Sequence, residues 1–191
     1  MTSILIVGVG GQGTLLASRI LGSVAIRAGF DVKVSEVHGM SQRGGSVETY
    51  VRFSKGKVDS PIIDYGCADI VIAFELLEAA RSVRYLKKSA ALIVNTQQLN
   101  PMPVIAGLAA YPEGLLEELQ MKAANMTAVN ALDLAIASGS AKTVNVVLIG
   151  VLAASMDIAK KDWLDTIREI APEKMLTANL KAFEAGYCAA S

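Results

Sequence analysis

The chain has 191 residues, a length that fits a single domain. Its 18 basic and 18 acidic residues balance, so no overall positive field favours binding to nucleic acid or to an anionic membrane. Apolar residues make up 52% of the chain but aromatic residues only 5%, which predicts an aliphatic core and more apolar surface than a monomer would bury. We therefore expect a partner subunit or self-association.

The number of cysteines and the lengths of the hydrophobic runs argue against an iron–sulfur protein and against a membrane-spanning protein. Two cysteines supply fewer thiolates than an iron–sulfur cluster needs, and Cys67, next to an apolar run, is interpreted as a core residue. No basic start of a signal peptide is present, and the longest apolar run, Val146 to Ala154, is too short to span a bilayer. The chain is predicted to be cytoplasmic.

The first elements along the chain read as strand, glycine turn and helix. Ile4 to Val7 is a short run of strand-favouring residues, and a helical pattern extends from Thr14 to Gly29. Between them, Gly8, Gly10 and Gly13 have the spacing G-x-G-x-x-G. In this context the spacing indicates a phosphate or nucleotide site, because glycines allow close approach and the helix start offers unpaired N–H groups. The alternative is a turn that only packs the helix on the strand.

A second strand, Asp31 to Val37, alternates polar and apolar residues and completes a β-α-β unit. Glu36 near its end occupies the position where a dinucleotide-binding fold has an acidic residue for the ribose. The position of Glu36 therefore favours binding of NAD. The polar, glycine-rich loop 37–46 is evidence against NAD binding, because an ordinary dinucleotide fold would enter a helix there, whereas this loop leads to a strand over 47–53.

The loop contains two further candidates. Arg43 beside Gly44 can bind a phosphate or a carboxylate, or it can pair with a carboxylate of the fold or of a neighbour. His38 is the only histidine and can act as an acid or base, although a structural or interfacial role is favoured because no matched nucleophile is evident. The pattern typical of a metal site is absent from the sequence.

The remainder predicts alternating buried strands and helices, then helices only. Strands are expected over 68–74, 90–94 and 126–129, and helices after Glu75, near 114–123 and over 131–137. From about residue 143 a helical extension begins, and its segment 144–156 is apolar nearly all round, so it is buried in the core or against another chain. The predicted fold is one α/β domain over 1–191, Rossmann-like, with a mostly parallel sheet flanked by helices.

Together the segments 8–13 and 36–47 resemble the gamma-type domain of 2-oxoacid:ferredoxin oxidoreductases. The form Glu-x-His-Gly-Met-x-Gln-Arg-Gly-Gly, followed later by residues 143–152, is similar in particular to the small (beta) subunit of the indolepyruvate branch. The likeness covers nearly the whole chain. The candidate cofactor-binding residues are Gly8, Gly10, Gly11, Gln12, Gly13, Glu36, His38, Gln42, Arg43 and Gly44, and no residue is predicted to be catalytic.

The resemblance implies a division of labour between subunits. A large (alpha) subunit would hold thiamine diphosphate and the iron–sulfur clusters, decarboxylate an aryl 2-oxoacid, and pass electrons to ferredoxin and the acyl group to coenzyme A. This chain would hold no cofactor tightly and would be inactive alone. As an extension of the resemblance, we expect coenzyme A to contact the glycine turn and Arg43.

Two alternatives remain beside this interpretation. One is a free-standing NAD(P)-dependent dehydrogenase with Glu36 on the ribose, although the chain lacks a substrate domain. The other is a purely structural subunit in which the glycines serve only packing.

Overall fold

The structure is a computed structural model, and it describes residues 1–39 and 44–190. Within these residues one six-stranded sheet forms the centre of the fold. Its strands are β1 (Thr2–Val9), β2 (Asp31–His38), β3 (Ser46–Ser54), β4 (Ala68–Ala73), β5 (Leu86–Asn95) and β6 (Asn125–Val129).

Eight α-helices connect and follow the strands in the described part of the chain. They are α1 (Thr14–Arg27), α2 (Leu76–Ser82), α3 (Met102–Ile105), α4 (Leu115–Lys122), α5 (Ala131–Ala137), α6 (Val144–Ala154), α7 (Lys160–Ile170) and α8 (Leu176–Ala189). After Thr143 the described chain contains helices and no strand, as the sequence predicts.

The strand order is β2-β3-β1-β4-β5-β6. β1, β4, β5 and β6 pair in parallel, whereas β3 pairs antiparallel with both β1 and β2. The predicted fold class, a mostly parallel Rossmann-like sheet flanked by helices, is therefore confirmed. One detail differs from an ordinary β-α-β unit: β2 runs parallel to β1 but lies one strand away from it. Since neighbouring strands are about 4.8 Å apart, β2 is about 10 Å from β1.

The alternating side chains of β1 contribute to two separate cores. Ile4 and Ile6 pack with α1 and with the C-terminal helices α5 to α8, whereas Leu5 and Val7 pack with α2 and α4. Helices thus cover both faces of the sheet, which is why the central strands read as continuous apolar runs.

Helix α6 is buried by its own chain. Every residue from Val144 to Ala153 is buried, and α8 lies across α6 at glycine positions. A Cβ atom on Gly186 would overlap the Val147 carbonyl group, and one on Gly150 would overlap the Phe183 carbonyl oxygen. The two glycines therefore allow the helix backbones to touch, and the all-round apolar pattern of α6 reflects an internal helix.

The interpretation of Cys67 as a core residue is wrong. Cys67 is exposed. It lies in a turn, where its N–H donates to the Asp64 carbonyl oxygen at 3.1 Å, and the buried strand β4 begins one residue later. None of the helices in residues 1–39 and 44–190 is long and apolar enough to cross a membrane.

The helix contact gives a first prediction. Replacing Gly186 by alanine should lower the free energy of unfolding by about 3 kcal/mol, because the added methyl group meets backbone that cannot move aside. Urea denaturation of the purified chain measures this. The matched control is Gly56→Ala, where a Cβ atom would meet open space and the free energy should change by less than about 0.5 kcal/mol. Equal stability of the two variants would contradict the close helix crossing.

Candidate functional site

The glycine turn joins β1 to α1 in a conformation that requires glycine. Gly11 and Gly13 have φ angles of +104° and +83°, a region that other residues rarely adopt. Gly8 has an ordinary φ angle, but a Cβ atom there would lie 2.9 Å from Gln12 Oε1 and 3.0 Å from Phe74 Cβ. Within the spacing found in the sequence, Gly13 is thus a left-handed position and Gly8 a close approach, and the second left-handed position is Gly11, which lies between the glycines of the spacing.

Gln12 holds the turn closed. Its side-chain Oε1 accepts the Val9 N–H at 2.7 Å, its Nε2 donates to the Phe74 carbonyl oxygen at 3.0 Å, and its own N–H donates to the Val9 carbonyl oxygen at 3.1 Å. Both ends of the side-chain amide are therefore engaged within the fold. Gln12 therefore shapes the candidate site.

The second glycine motif lies directly against the first. The Gly10 N–H donates to the Gly45 carbonyl oxygen at 2.8 Å, and the Gly44 N–H donates to the Gly10 carbonyl oxygen at 3.4 Å. Two candidates from the sequence, Gly10 and Gly44, are thus brought together. Two others, Gln42 and Arg43, lie outside the described residues.

Backbone N–H groups remain available where the turn enters α1. The Gly10 and Gln12 N–H groups are used within the fold, whereas those of Gly11 and Gly13 have no recorded acceptor among the described residues. Helix α1 begins at Thr14 and has 14 residues, so its first N–H groups carry partial positive charge toward the turn. This arrangement suits an anionic group.

Two cavities adjoin the turn, one on each side. The larger, about 520 Å³, is lined by Gly11, Gln12, Gly13, Gln97, Leu99, Leu132, Ala141, Lys142 and Val144. The smaller, about 380 Å³, is lined by Gly10, Gly11, Gly13, Thr14, Leu15, Glu36, His38 and Val47. Gly11 and Gly13 belong to both. The larger cavity carries a cation, Lys142, just before α6, which sequence reasoning missed because no motif marks it.

Glu36 and His38 reach the smaller cavity from the edge strand β2. Both are exposed; Glu36 Oε2 accepts a hydrogen bond from Thr49 Oγ1 at 3.2 Å, and His38 Nδ1 lies 2.9 Å from the Gly39 carbonyl oxygen. The structure thus brings both residues to the glycine turn. It does so across the intervening strand β3, so Glu36 is one strand farther from the turn than its counterpart in an ordinary dinucleotide fold.

Two buried carboxylates, Glu75 and Glu78, begin α2 beside the turn, and sequence reasoning missed them. Glu75 Oε2 accepts the Glu78 N–H at 2.9 Å, and its Oε1 accepts the Leu99 N–H at 3.0 Å and the Tyr111 hydroxyl at 2.5 Å. Burial, and then this bond to Glu75, raise the pKa of Tyr111. The signal was present, because an N-cap acid with an acidic residue three positions later is typical of a helix start.

Glu78 connects α2 to the beginning of β3. Its carboxylate accepts hydrogen bonds from the Ser46 hydroxyl and, at 2.6 Å, from Arg81 Nη1. A third cavity of about 280 Å³ lies here, lined in part by Gly10, Gly44, Glu75 and Glu78. These contacts hold the start of β3 next to the glycine turn.

Two buried asparagines complete the support of the site. Asn145 Nδ2 donates to the Gly13 carbonyl oxygen at 3.2 Å, and a Cβ atom on Gly13 would lie 2.7 Å from the same nitrogen. Asn95 donates to the Phe74 carbonyl oxygen and accepts the Ala131 N–H, at 3.0 and 3.1 Å. In residues 1–39 and 44–190, no group of three or more His, Cys, Asp or Glu side chains is placed to hold a metal ion.

Comparison with known proteins identifies the family. The profile described as pyruvate ferredoxin/flavodoxin oxidoreductase matches residues 3–189. The chain belongs to this family. Indolepyruvate oxidoreductase subunit IorB of Archaeoglobus fulgidus is 42% identical over 189 residues, with 97% of this chain and 93% of the relative covered. The resemblance seen in the two glycine segments is thus confirmed.

Solved structures share the fold. The gamma subunit of a keto/oxoacid ferredoxin oxidoreductase from Geobacter sulfurreducens superposes with a TM-score of 0.75 at 24% identity, covering 100% of this chain and 98% of that one. A 2-oxoglutarate:ferredoxin oxidoreductase from Magnetococcus marinus, with 2-oxoglutarate, coenzyme A and succinyl-CoA bound, gives 0.73 at 20% identity. There the match covers 99% of this chain but 31% of the other, so the family fold is one part of a longer polypeptide.

The role of Gln12 gives a second prediction. Gln12→Glu should lower the free energy of unfolding by about 2 kcal/mol, because a carboxylate cannot donate to the Phe74 carbonyl oxygen and would face it at short range. Gln98→Glu makes the same chemical change at an exposed position and should have little effect. Urea denaturation of both variants measures the difference. If Gln12→Glu is as stable as Gln98→Glu, the side chain does not close the turn.

Proposed function

We propose that this chain is the small subunit of an indolepyruvate (arylpyruvate):ferredoxin oxidoreductase. It supports the oxidative decarboxylation of aryl 2-oxoacids to aryl-acetyl-CoA, with electrons passed to ferredoxin. The observation that carries this proposal is the 42% identity to an indolepyruvate oxidoreductase subunit over nearly the full length. Residues 1–191 act as one gamma-type domain, since the helices after residue 143 pack on the same sheet as α1.

The proposal divides the chemistry between two chains in the cytoplasm. Thiamine diphosphate and iron–sulfur clusters belong to the large subunit, where they supply decarboxylation and electron transfer. This chain has two cysteines, fewer than one cluster requires, and its candidate site offers backbone N–H groups and one lysine. Its own residues therefore bind and orient a ligand, and the chain is inactive alone.

Coenzyme A is the ligand that we propose for the glycine turn. It carries phosphates, which suit the start of α1, Lys142 and the N–H groups of Gly11 and Gly13, which have no acceptor in the described part of the chain. The remaining site residues are Gly8, Gly10, Gln12 and Gly44, which shape the turn, and Glu36 and His38, which line the smaller cavity. Gln42 and Arg43 are included from the sequence motif alone. A related fold in Magnetococcus marinus belongs to a protein with coenzyme A bound.

One observation supports the alternative function, that of an NAD(P)-dependent dehydrogenase: Glu36 lines the same cavity as Gly11 and Gly13. The insertion of β3 weighs against it, because a ribose held by Glu36 would have to bridge an additional strand spacing of about 4.8 Å. A purely structural role would leave the turn without any ligand.

Reconstitution tests the assignment. The purified chain alone should show no tight NADH binding and no dye reduction with indolepyruvate and coenzyme A. Mixed with its large subunit, it should support rapid indolepyruvate-dependent dye reduction and form indoleacetyl-CoA. Turnover by this chain in isolation, or NADH binding at micromolar concentration, would contradict the proposal.

Lys142 tests the ligand. Lys142→Ala in the assembled complex should raise the Kd for coenzyme A about tenfold, because one charge-assisted contact to phosphate is lost. Isothermal titration of the complex measures the change. The control is Lys122→Ala, which removes an exposed lysine that pairs with Glu118 at 3.3 Å on α4. Equal coenzyme A affinity in the two variants would show that Lys142 does not contact the ligand. If Gly13→Ala also leaves the affinity unchanged, coenzyme A does not bind at the glycine turn.

A further inference from the structure

The connection between β5 and α4 carries a cluster of exposed apolar side chains. Residues 100–112, here called the apolar segment, contain no charged residue. Met102, Ile105 and Leu108 are 66%, 65% and 82% exposed, and the short helix α3 within the segment has no buried residue. Met102 and Ile105 are three positions apart on α3 and share one face. Exposed apolar clusters of this kind mark interaction sites.

The apolar segment is held at both ends by one buried carboxylate. Glu75 is 1% exposed, and its Oε1 accepts the N–H of Leu99 before the segment and the hydroxyl of Tyr111 at its end. The Tyr111 oxygen in turn accepts the Leu77 N–H at 3.1 Å. Inside the segment the Leu108 N–H donates to the Pro103 carbonyl oxygen at 2.8 Å. The hydrogen bonds thus fix the conformation of the segment with its apolar side chains exposed to solvent. Burying the Glu75 carboxylate for this purpose costs free energy of desolvation.

The apolar segment begins at the rim of the candidate site. Leu99, Asn100 and Pro101 line the 280 Å³ cavity together with Gly10 and Gly44. The coenzyme A that we propose for the turn must meet an acyl group formed in the large subunit. This edge of the sheet, and with it the apolar segment, therefore faces the large subunit.

The charges next to the apolar segment indicate what kind of partner surface it fits. The residues that follow the apolar segment include two exposed acids, Glu113 and Glu117, which form no ion pair within residues 1–39 and 44–190. Arg81 also lies beside the start of the segment, but it is paired with Glu78, so the exposed acids Glu113 and Glu117 decide the charge of the border. An uncharged patch with such a border complements an apolar groove bordered by lysine or arginine. We propose that the apolar segment docks into such a groove on the large subunit; this inference rests on the proposed function.

The test is assembly of the two subunits with the double variant Ile105→Arg, Leu108→Arg. Both side chains are exposed, so the variant should keep the wild-type circular dichroism and Tm, while its Kd for the large subunit should rise at least about tenfold. The matched control is Ile136→Arg, at a side chain 56% exposed near the end of α5, which should assemble normally. A second variant, Leu108→Ala, introduces no charge and should raise the Kd about threefold.

The outcomes separate the inference from the proposed function. Normal assembly of the double variant overturns the docking surface and leaves the proposed function standing. Failure of the wild-type chain to bind the large subunit overturns the proposed function itself. If Ile136→Arg weakens assembly as much as the double variant does, the effect is not specific to the apolar segment, and the inference is also overturned.

Discussion

A chain of side-chain amides across the carboxyl edge of the sheet is the feature on which the rest of the structure depends. The Phe74 carbonyl oxygen, just past β4, accepts hydrogen bonds from Gln12 of the glycine turn and from Asn95 at the end of β5. Asn95 in turn accepts the first N–H of α5. Three strand ends and one helix start are thereby fixed relative to one another. Because the donors and acceptors are buried or partly buried, loss of one leaves another unpaired, which makes the geometry stiff.

This amide chain lies where the order of the strands changes direction. From β1 the chain leads to β2 and β3 on one side, whereas β4 begins the run toward β6 on the other. Ligands of open α/β sheets bind in the crevice at such a point, outside the carboxyl ends of the strands. The two larger cavities lie there, and the glycine turn separates them. The turn needs glycine at Gly11 and Gly13 because both have positive φ angles, and at Gly13 also because a Cβ atom would collide with Asn145.

Local patterns predicted what depends on neighbours in sequence. The strand–turn–helix start, the helix over 131–137 and the buried character of α6 follow from periodicity and from glycine spacing. The position of β3 between β1 and β2 could not be predicted, since the pattern of a strand does not specify its partner. The same holds for Gly150 and Gly186, whose role depends on two helices crossing at one point. Cys67 was misplaced because an adjoining buried strand says nothing about the turn that precedes it.

Within the candidate site, several residues could be predicted from the sequence, but the residues that hold them in place could not. Glycines and Glu36 belong to a known spacing, whereas Lys142 and Asn145 reach the turn from a segment more than a hundred positions away. Glu75 and Glu78 had a local signal as a helix start, but nothing local shows that both carboxylates are buried next to Gly10. Sequence identifies a turn of this kind, and the long-range polar contacts decide which groups surround it.

The charged residues around the turn also favour one orientation of an anionic ligand bound there. The 280 Å³ cavity is lined by two carboxylates, Glu75 and Glu78, and one cation, Arg81, which pairs with Glu78, so the excess negative charge disfavours a phosphate there. The described residues that line the 520 Å³ cavity include Lys142 and no acidic residue. The 380 Å³ cavity offers Glu36, an acceptor suited to hydroxyl groups. An anionic ligand with a sugar therefore lies most favourably with its phosphates at Gly11, Gly13 and Lys142 and its hydroxyl groups toward Glu36. In the complex that we propose, the apolar segment borders the side from which the acyl group would arrive.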